Sequence, residues 1–208
     1  MLSVSIAGIG GQGSVLAARI LAQAAQSKGW QVRTAETIGM AQRGGNVISH
    51  GRMGDKGETV YSPLPAQQSI DVLIALEPGE ALRALPYIKP NGLLVLAQTP
   101  RPPVGGASDE PYDASTCIAQ LQTLPFNVVL VDDEALTNHV GSKKALNIIM
   151  LAYALCSMDG DISLEDMKEA VAVCVKPQFL ELNSAAIDAV IAYNNKHEVI
   201  KVYERTTR

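Results

Sequence analysis

The chain has 208 residues, of which 47% are hydrophobic and 18% charged, with a net charge of -4. Such a chain is long enough and apolar enough for one packed domain, and we read residues 1-208 as a single domain. No basic run and an aromatic content of 4% argue against nucleic acid as a partner. No stretch approaches the ~18 consecutive apolar residues of a membrane span. No charged segment followed by an apolar core opens the chain, so a cytoplasmic protein without a membrane partner is expected.

In chain order, Leu2–Ala7 reads as a strand and Gly13–Lys28 as an alanine-rich helix with Gly29 at its C-terminal cap. Gln31–Glu36 reads as a second strand. Asn46–Met53 alternates in the manner of a half-exposed strand, and Gly54-Asp55-Lys56-Gly57 turns it into a short return strand, Glu58–Tyr61. This predicts a hairpin over 46–61 where an ordinary Rossmann unit has a helix. Ile70–Leu76 reads as a buried strand, Gly79–Leu85 as a short helix and Leu93–Ala97 as a further strand. Thr99–Pro111, rich in proline and poor in apolar residues, reads as an exposed loop. Asn127–Val131 is a late strand, Lys143–Cys156 a long apolar helix, Ser163 with Asp166 a capping box, and Pro177 the start of a last helix reaching about Asn194. The expected fold is α/β: a Rossmann-like, mainly parallel sheet with a hairpin insertion and a helical C-terminal part.

Two glycine clusters carry the chemistry. Gly8-Ile9-Gly10-Gly11-Gln12-Gly13 joins the first strand to the first helix. Glycines at 8, 10 and 13 have the spacing of a dinucleotide-binding turn, in which they permit the turn, backbone approach to a phosphate and close helix packing. Amide groups at the start of the helix would face an anion, although a purely structural turn is the equal alternative. The second cluster, Gly39-Met40-Ala41-Gln42-Arg43-Gly44-Gly45, follows the second strand. Arg43 there could clamp a carboxylate or phosphate, or else form an interface ion pair or brace its loop.

GIGGQG followed by GMAQRGG resembles the gamma-domain family of 2-oxoacid:ferredoxin oxidoreductases, and GMAQRGG is most similar to its small, separate subunits of the indolepyruvate type. Supporting segments are Ala75-Leu76-Glu77-Pro78, Lys89-Pro90-Asn91-Gly92, Gly141-Ser142-Lys143-Lys144-Ala145-Leu146-Asn147 and Glu181-Leu182-Asn183. The resemblance implies a subunit inactive alone. Its large partner would carry thiamine diphosphate and iron–sulfur clusters and pass electrons to ferredoxin. This chain would bind no cofactor firmly, with coenzyme A a possible ligand. Gly8, Gly10, Gly11, Gln12, Gly13, Gln42, Arg43, Gly44 and Gly45 are the candidate ligand-contacting residues, without a catalytic or metal-binding residue among them.

Other features weigh less. Glu36 stands where a nicotinamide or flavin enzyme keeps its ribose-binding acid, so a free-standing dinucleotide-binding protein is the alternative, but no set of residues for hydride transfer follows. Gly160-Asp161 with Asn194-Asn195 only superficially matches a thiamine motif, since Ile162 stands where glycine is needed. Lys143 and Lys144 lie at a helix start, where cations are disfavoured; this suggests an anion or an acidic partner surface facing them, with plain solvated lysines as the default reading. Glu77 fits a helix start better than a catalytic acid. Cys117, Cys156 and Cys174 are too dispersed for a cluster or zinc site and read as buried free thiols.

Overall fold

A computed structural model describes residues 1–39, 45–55, 57–101, 112–158 and 160–197, with side chains in the last helix as far as Asn194. The six-stranded sheet has the order β2-β3-β1-β4-β5-β6. Its strands are β1 (Leu2–Ile9), β2 (Gln31–Ile38), β3 (Asn46–Gly54), β4 (Ile70–Ala75), β5 (Ile88–Ala97) and β6 (Asn127–Val131). β3 is antiparallel to both its neighbours, β1 and β2, while β1, β4, β5 and β6 pair in parallel. The sheet is therefore mainly parallel, with β3 alone reversed.

The hairpin is real but differs from the expected one. β3 turns back along β2, not into a following strand, and residues 58–61 adopt no strand. Val60 instead donates its amide to Gln31 Oε1 at 2.5 Å and accepts from Arg33 Nε at 2.6 Å. The alternation in 46–53 suggested half-exposure, yet β3 is nearly all buried. Wedged between β1 and β2 and covered by α1, it has little surface left for water.

The helices are α1 (Ser14–Ser27), α2 (Pro78–Ala84), α3 (Ala114–Gln122), α4 (Asp133–Val140), α5 (Leu146–Ser157), α6 (Leu164–Cys174) and α7 (Leu180–His197). Sequence reading did not anticipate α3, which starts where the Asp113 carboxylate accepts the Ser115 amide at 2.9 Å. One face of the sheet, with Val4, Ile6, Ile74 and Val95, packs against α1 and α5, and α6 and α7 complete this core by packing on those two helices. The opposite face, with Leu73, Leu94 and Leu96, packs against α2 and α3. α5 is buried over Leu146–Leu155, as expected of a helix apolar all round. α6 opens on the predicted box: Asp166 N–H donates to Ser163 Oγ at 3.1 Å and Ser163 N–H to Asp166 Oδ2 at 2.7 Å. Cys117, Cys156 and Cys174 are free but only half-buried, a correction to the buried thiols expected, because each lies on a helix at the rim of the core.

Candidate functional site

β1 is the central strand at which the chain's course reverses. Connections from β1 lead first to β2 and β3 on one side and then to β4 on the other. Ligands of open α/β sheets bind beyond the carboxyl ends of strands at such a point, and the first glycine cluster lies there. Gln12 holds the turn together. Its Oε1 accepts the Ile9 amide at 2.6 Å, and its Nε2 donates to Leu76 C=O at 2.8 Å, which ties the end of β1 to that of β4. The Gln12 side chain is buried and its amide is spent on these backbone partners. It shapes the site rather than projecting into it.

The glycines divide by environment. A Cβ at Gly8 would stand 2.8 Å from Gln12 Oε1 and 3.1 Å from Leu76 Cβ. Gly13 has φ +85°, and a Cβ there would stand 2.7 Å from Asn147 Nδ2. Both positions are glycine for packing. Among the described residues, Gly11 (φ +95°) has nothing within 4 Å of its Cβ position, and Gly10 meets only Gly45 C=O, at 3.6 Å. These two exposed glycines form the open lip of the turn.

The two glycine clusters are neighbours in space. Gly10 N–H donates to Gly45 C=O at 2.9 Å, and Gly39 N–H to Asn46 C=O at 2.8 Å. Gln42, Arg43 and Gly44 lie outside the described residues. Their loop leaves the hairpin at Gly39 and returns at Gly45, beside the first turn.

On the other side of the glycine turn is a cavity of about 370 Å³ lined by Gly11, Gln12, Gly13 and Asn147, the cations Arg101, Lys143 and Lys144, and an apolar wall including Leu16 and Phe179. The N-termini of α1 and α5 converge on it, joined by Asn147 Nδ2 donating to Gly13 C=O at 3.1 Å. α1 has no side-chain cap and no acid in its first turn. Among the described residues the lining contains no carboxylate, so lysines, arginine and helix-start amides all favour an anion. Lys143 and Lys144, poorly placed for the helix dipole, are accounted for by this rim. The segments 141–147 and 181–183 meet here through Asn147, Leu182 and Asn183. Sequence reading missed Arg101, Leu16, Val175 and Phe179 as lining residues, since none belongs to a motif and all but Leu16 are distant along the chain from the first glycine cluster.

Glu77 is the N-cap of α2, accepting the Glu80 amide at 3.0 Å. It also accepts the Tyr112 hydroxyl, which in turn receives the Gly79 amide at 3.0 Å. Burial, then the Glu77 carboxylate, pushes the Tyr112 hydroxyl well above its usual range. Glu77 is thus structural. Glu36 lies on β2, separated from β1 by β3. A dinucleotide on the β1 turn would have its ribose near the adjacent strand, so the inserted strand removes this acid from its Rossmann role.

His50 on β3 is buried, with Nδ1 2.8 Å from Ser5 Oγ and Nε2 3.4 Å from Thr37 Oγ1. Burial lowers its pKa below the ordinary 6.5. The unfolded chain then takes up the proton first, so stability is lost as pH falls through 6.5 toward the folded value. His50 should lower the melting temperature between pH 7 and 5, a range above the titration of Asp113 and Asp166, whose pKa values are lowered from 3.8, while Glu80, whose pKa burial raises from 4.5, acts in the opposite direction. His50→Gln should flatten that range in thermal melts; an unchanged slope would assign it to another group.

The described helices contain none long and apolar enough to cross a membrane. The architecture is thus an α/β domain with a reversed strand beside its glycine turn and a cationic crevice at its carboxyl edge. Residues 3–193 match the family of pyruvate ferredoxin/flavodoxin oxidoreductases, and the chain belongs to that family. It is 34% identical over 188 residues to indolepyruvate oxidoreductase subunit IorB of Archaeoglobus fulgidus, covering 89% of this chain and 92% of that one. The IorB of Thermococcus kodakarensis is 33% identical over 190 residues, with the same coverage of 89% and 92%. Among solved structures, the gamma subunit of a keto/oxoacid ferredoxin oxidoreductase from Geobacter sulfurreducens shares the fold with a TM-score of 0.66 at 23% identity, over 92% of this chain and 99% of that one. A 2-oxoglutarate:ferredoxin oxidoreductase from Magnetococcus marinus, with 2-oxoglutarate, coenzyme A and succinyl-CoA bound, has a TM-score of 0.67 at 21% identity, and the match covers 94% of this chain and 31% of that longer one. These likenesses give no support to a free-standing nicotinamide or flavin protein.

Proposed function

We propose that the chain is the small subunit of a cytoplasmic 2-oxoacid:ferredoxin oxidoreductase acting on indolepyruvate or related arylpyruvates. The near full-length match to IorB, at 34% identity over 92% of that subunit, carries the reading. Oxidative decarboxylation of a 2-oxoacid needs a carbanion-stabilising cofactor and an electron acceptor. The three dispersed cysteines of this chain suit no cluster, so thiamine diphosphate, iron–sulfur centres and the contact with ferredoxin fall to a larger partner. The test is reconstitution. The purified chain should oxidise no arylpyruvate alone, and coenzyme A-dependent ferredoxin reduction should appear on mixing with the large subunit. Turnover by the isolated chain, or no change on mixing, would overturn the assignment.

Within the complex, the cationic crevice suits the phosphates of coenzyme A. Gly11 leaves open space beside the α1 amide groups, and Arg101, Lys143 and Lys144 supply positive charge. Gly10→Val tests the lip of the site. Among the described residues a Cβ at Gly10 meets only Gly45 C=O, at 3.6 Å, so the fold should persist while the branched side chain stiffens and crowds the turn whose next residues, Gly11 to Gly13, line the crevice. The apparent KM for coenzyme A should rise about tenfold, equivalent to ~1.4 kcal/mol. An assembled complex with an unchanged KM would leave the first glycine cluster a structural turn only.

A further inference from the structure

We propose that two copies of this chain associate through their β2 strands, antiparallel about a two-fold axis at Ala35, and so join their sheets into one. β2 is an edge strand whose eight residues pair with β3 in unbroken register. It has neither proline nor bulge, the usual devices that protect a sheet edge. The guanidinium of Arg33, which could guard the edge by charge, is turned to Val60 C=O. Among the described residues, β2 makes substantial element contacts only with β3 and α1, and Ile38 is 68% exposed.

The ladder shows which groups the edge offers. Gly39 N–H donates to Asn46 C=O, and antiparallel bonding alternates from there. Odd-numbered residues of β2 therefore bond to β3. The N–H and C=O groups of Val32, Thr34, Glu36 and Ile38 point outward. A second copy must oppose even residues to even ones, and the possible registers differ sharply. Centred on Ala35, Val32 faces Ile38 of the second copy and Thr34 faces Glu36. Arg33 faces Thr37, so no like charges stand directly opposite one another, and the two Glu36 side chains are only diagonal neighbours, about 7–8 Å apart. Moved one step toward the C-terminus, to centre on Glu36, the register opposes two glutamates directly, which is unfavourable. Moved one step toward the N-terminus, to centre on Thr34, it sets Val32 against Glu36 and carries Ile38 past the end of the partner's strand, opposite the half-buried Trp30, so that the ladder is shorter. The favoured register is thus self-complementary and covers the exposed isoleucine. Antiparallel pairing also closes at two copies, whereas a head-to-tail contact would continue into a filament.

The test is cross-linking with sedimentation of the full chain. On the dyad, Ala35 faces Ala35 as a non-hydrogen-bonded pair, where α-carbons lie about 4.5 Å apart, within the range of a disulfide. Ala35→Cys should give a reducible homodimer under mild oxidation. Thr37→Cys, opposite Arg33, and the parent with its native cysteines should give little. Thr34→Pro removes one outward N–H, a change edge strands tolerate. It should raise the dimer dissociation constant at least about tenfold, with circular dichroism confirming the fold. A parent chain that sediments as a monomer at tens of micromolar, or an Ala35→Cys variant that cross-links no better than Thr37→Cys, overturns the proposal. Coverage of this edge by a different protein would give that second result.

Discussion

Gly13→Val is expected to destabilise the chain by at least about 3 kcal/mol, combining backbone strain with overpacking. Gly13 ends the glycine turn at φ +85°, a region closed to β-branched residues without strain. The added Cβ would stand 2.7 Å from Asn147 Nδ2 and 2.9 Å from its Cγ. Asn147 cannot simply swing aside, because it is buried and donates to Gly13 C=O at 3.1 Å. Displacing it breaks the joint between the starts of α1 and α5. For a domain of this length, 3 kcal/mol lowers the melting temperature by roughly 6–12 °C. Gly10→Val, whose Cβ among the described residues meets only Gly45 C=O at 3.6 Å, should cost about 1 kcal/mol or less. Urea unfolding of the pair measures the contrast. Equal midpoints would refute the division of the turn into packing glycines and open ones.

Arg43→Ala is expected to leave the subunit folded, with a melting temperature within a few degrees of the parent, and to damage the complex. The ends of its loop are fixed independently of it. Gly39 and Gly45 are held by Asn46 C=O and the Gly10 amide, and a Cβ on Gly39 would overlap Asn46 Oδ1. Losing one partner of a desolvated charge pair costs about 2–5 kcal/mol, whether that partner is a ligand phosphate or the large subunit. Titration against the large subunit, followed by turnover at saturation, separates the roles. Normal affinity with lost turnover assigns Arg43 to the active site; weak affinity with recovered turnover assigns it to the interface. Parental values for both would make it an ordinary surface residue.

The glycine turn, the capping box at Ser163, the strand Asn127–Val131 and the apolar helix after Lys143 were legible because each depends on local rules: backbone freedom, side-chain capping, and periodic or continuous apolar residues. The two glycine clusters, paired in the sequence only as a family motif, also meet in space, since Gly10 bonds to Gly45. α3 was missed because its first turn adjoins a proline-rich stretch and buries only Leu121 fully. The return strand 58–61 was wrongly expected because a turn signal marks a reversal without saying which strand receives the chain.

By itself, the sequence determined the class of the fold, the positions of its glycine turns and its family, because these rest on residue types at fixed spacing. Tertiary structure alone decided that β3 separates β2 from β1, which removes Glu36 from a ribose-binding position. It also decided that Gln12 is a brace, and that Arg101, Lys143, Lys144 and Phe179 share one crevice with Gly11. These facts depend on strand order and helix convergence. They are set by which apolar faces bury one another across more than a hundred residues, and no local pattern encodes that choice.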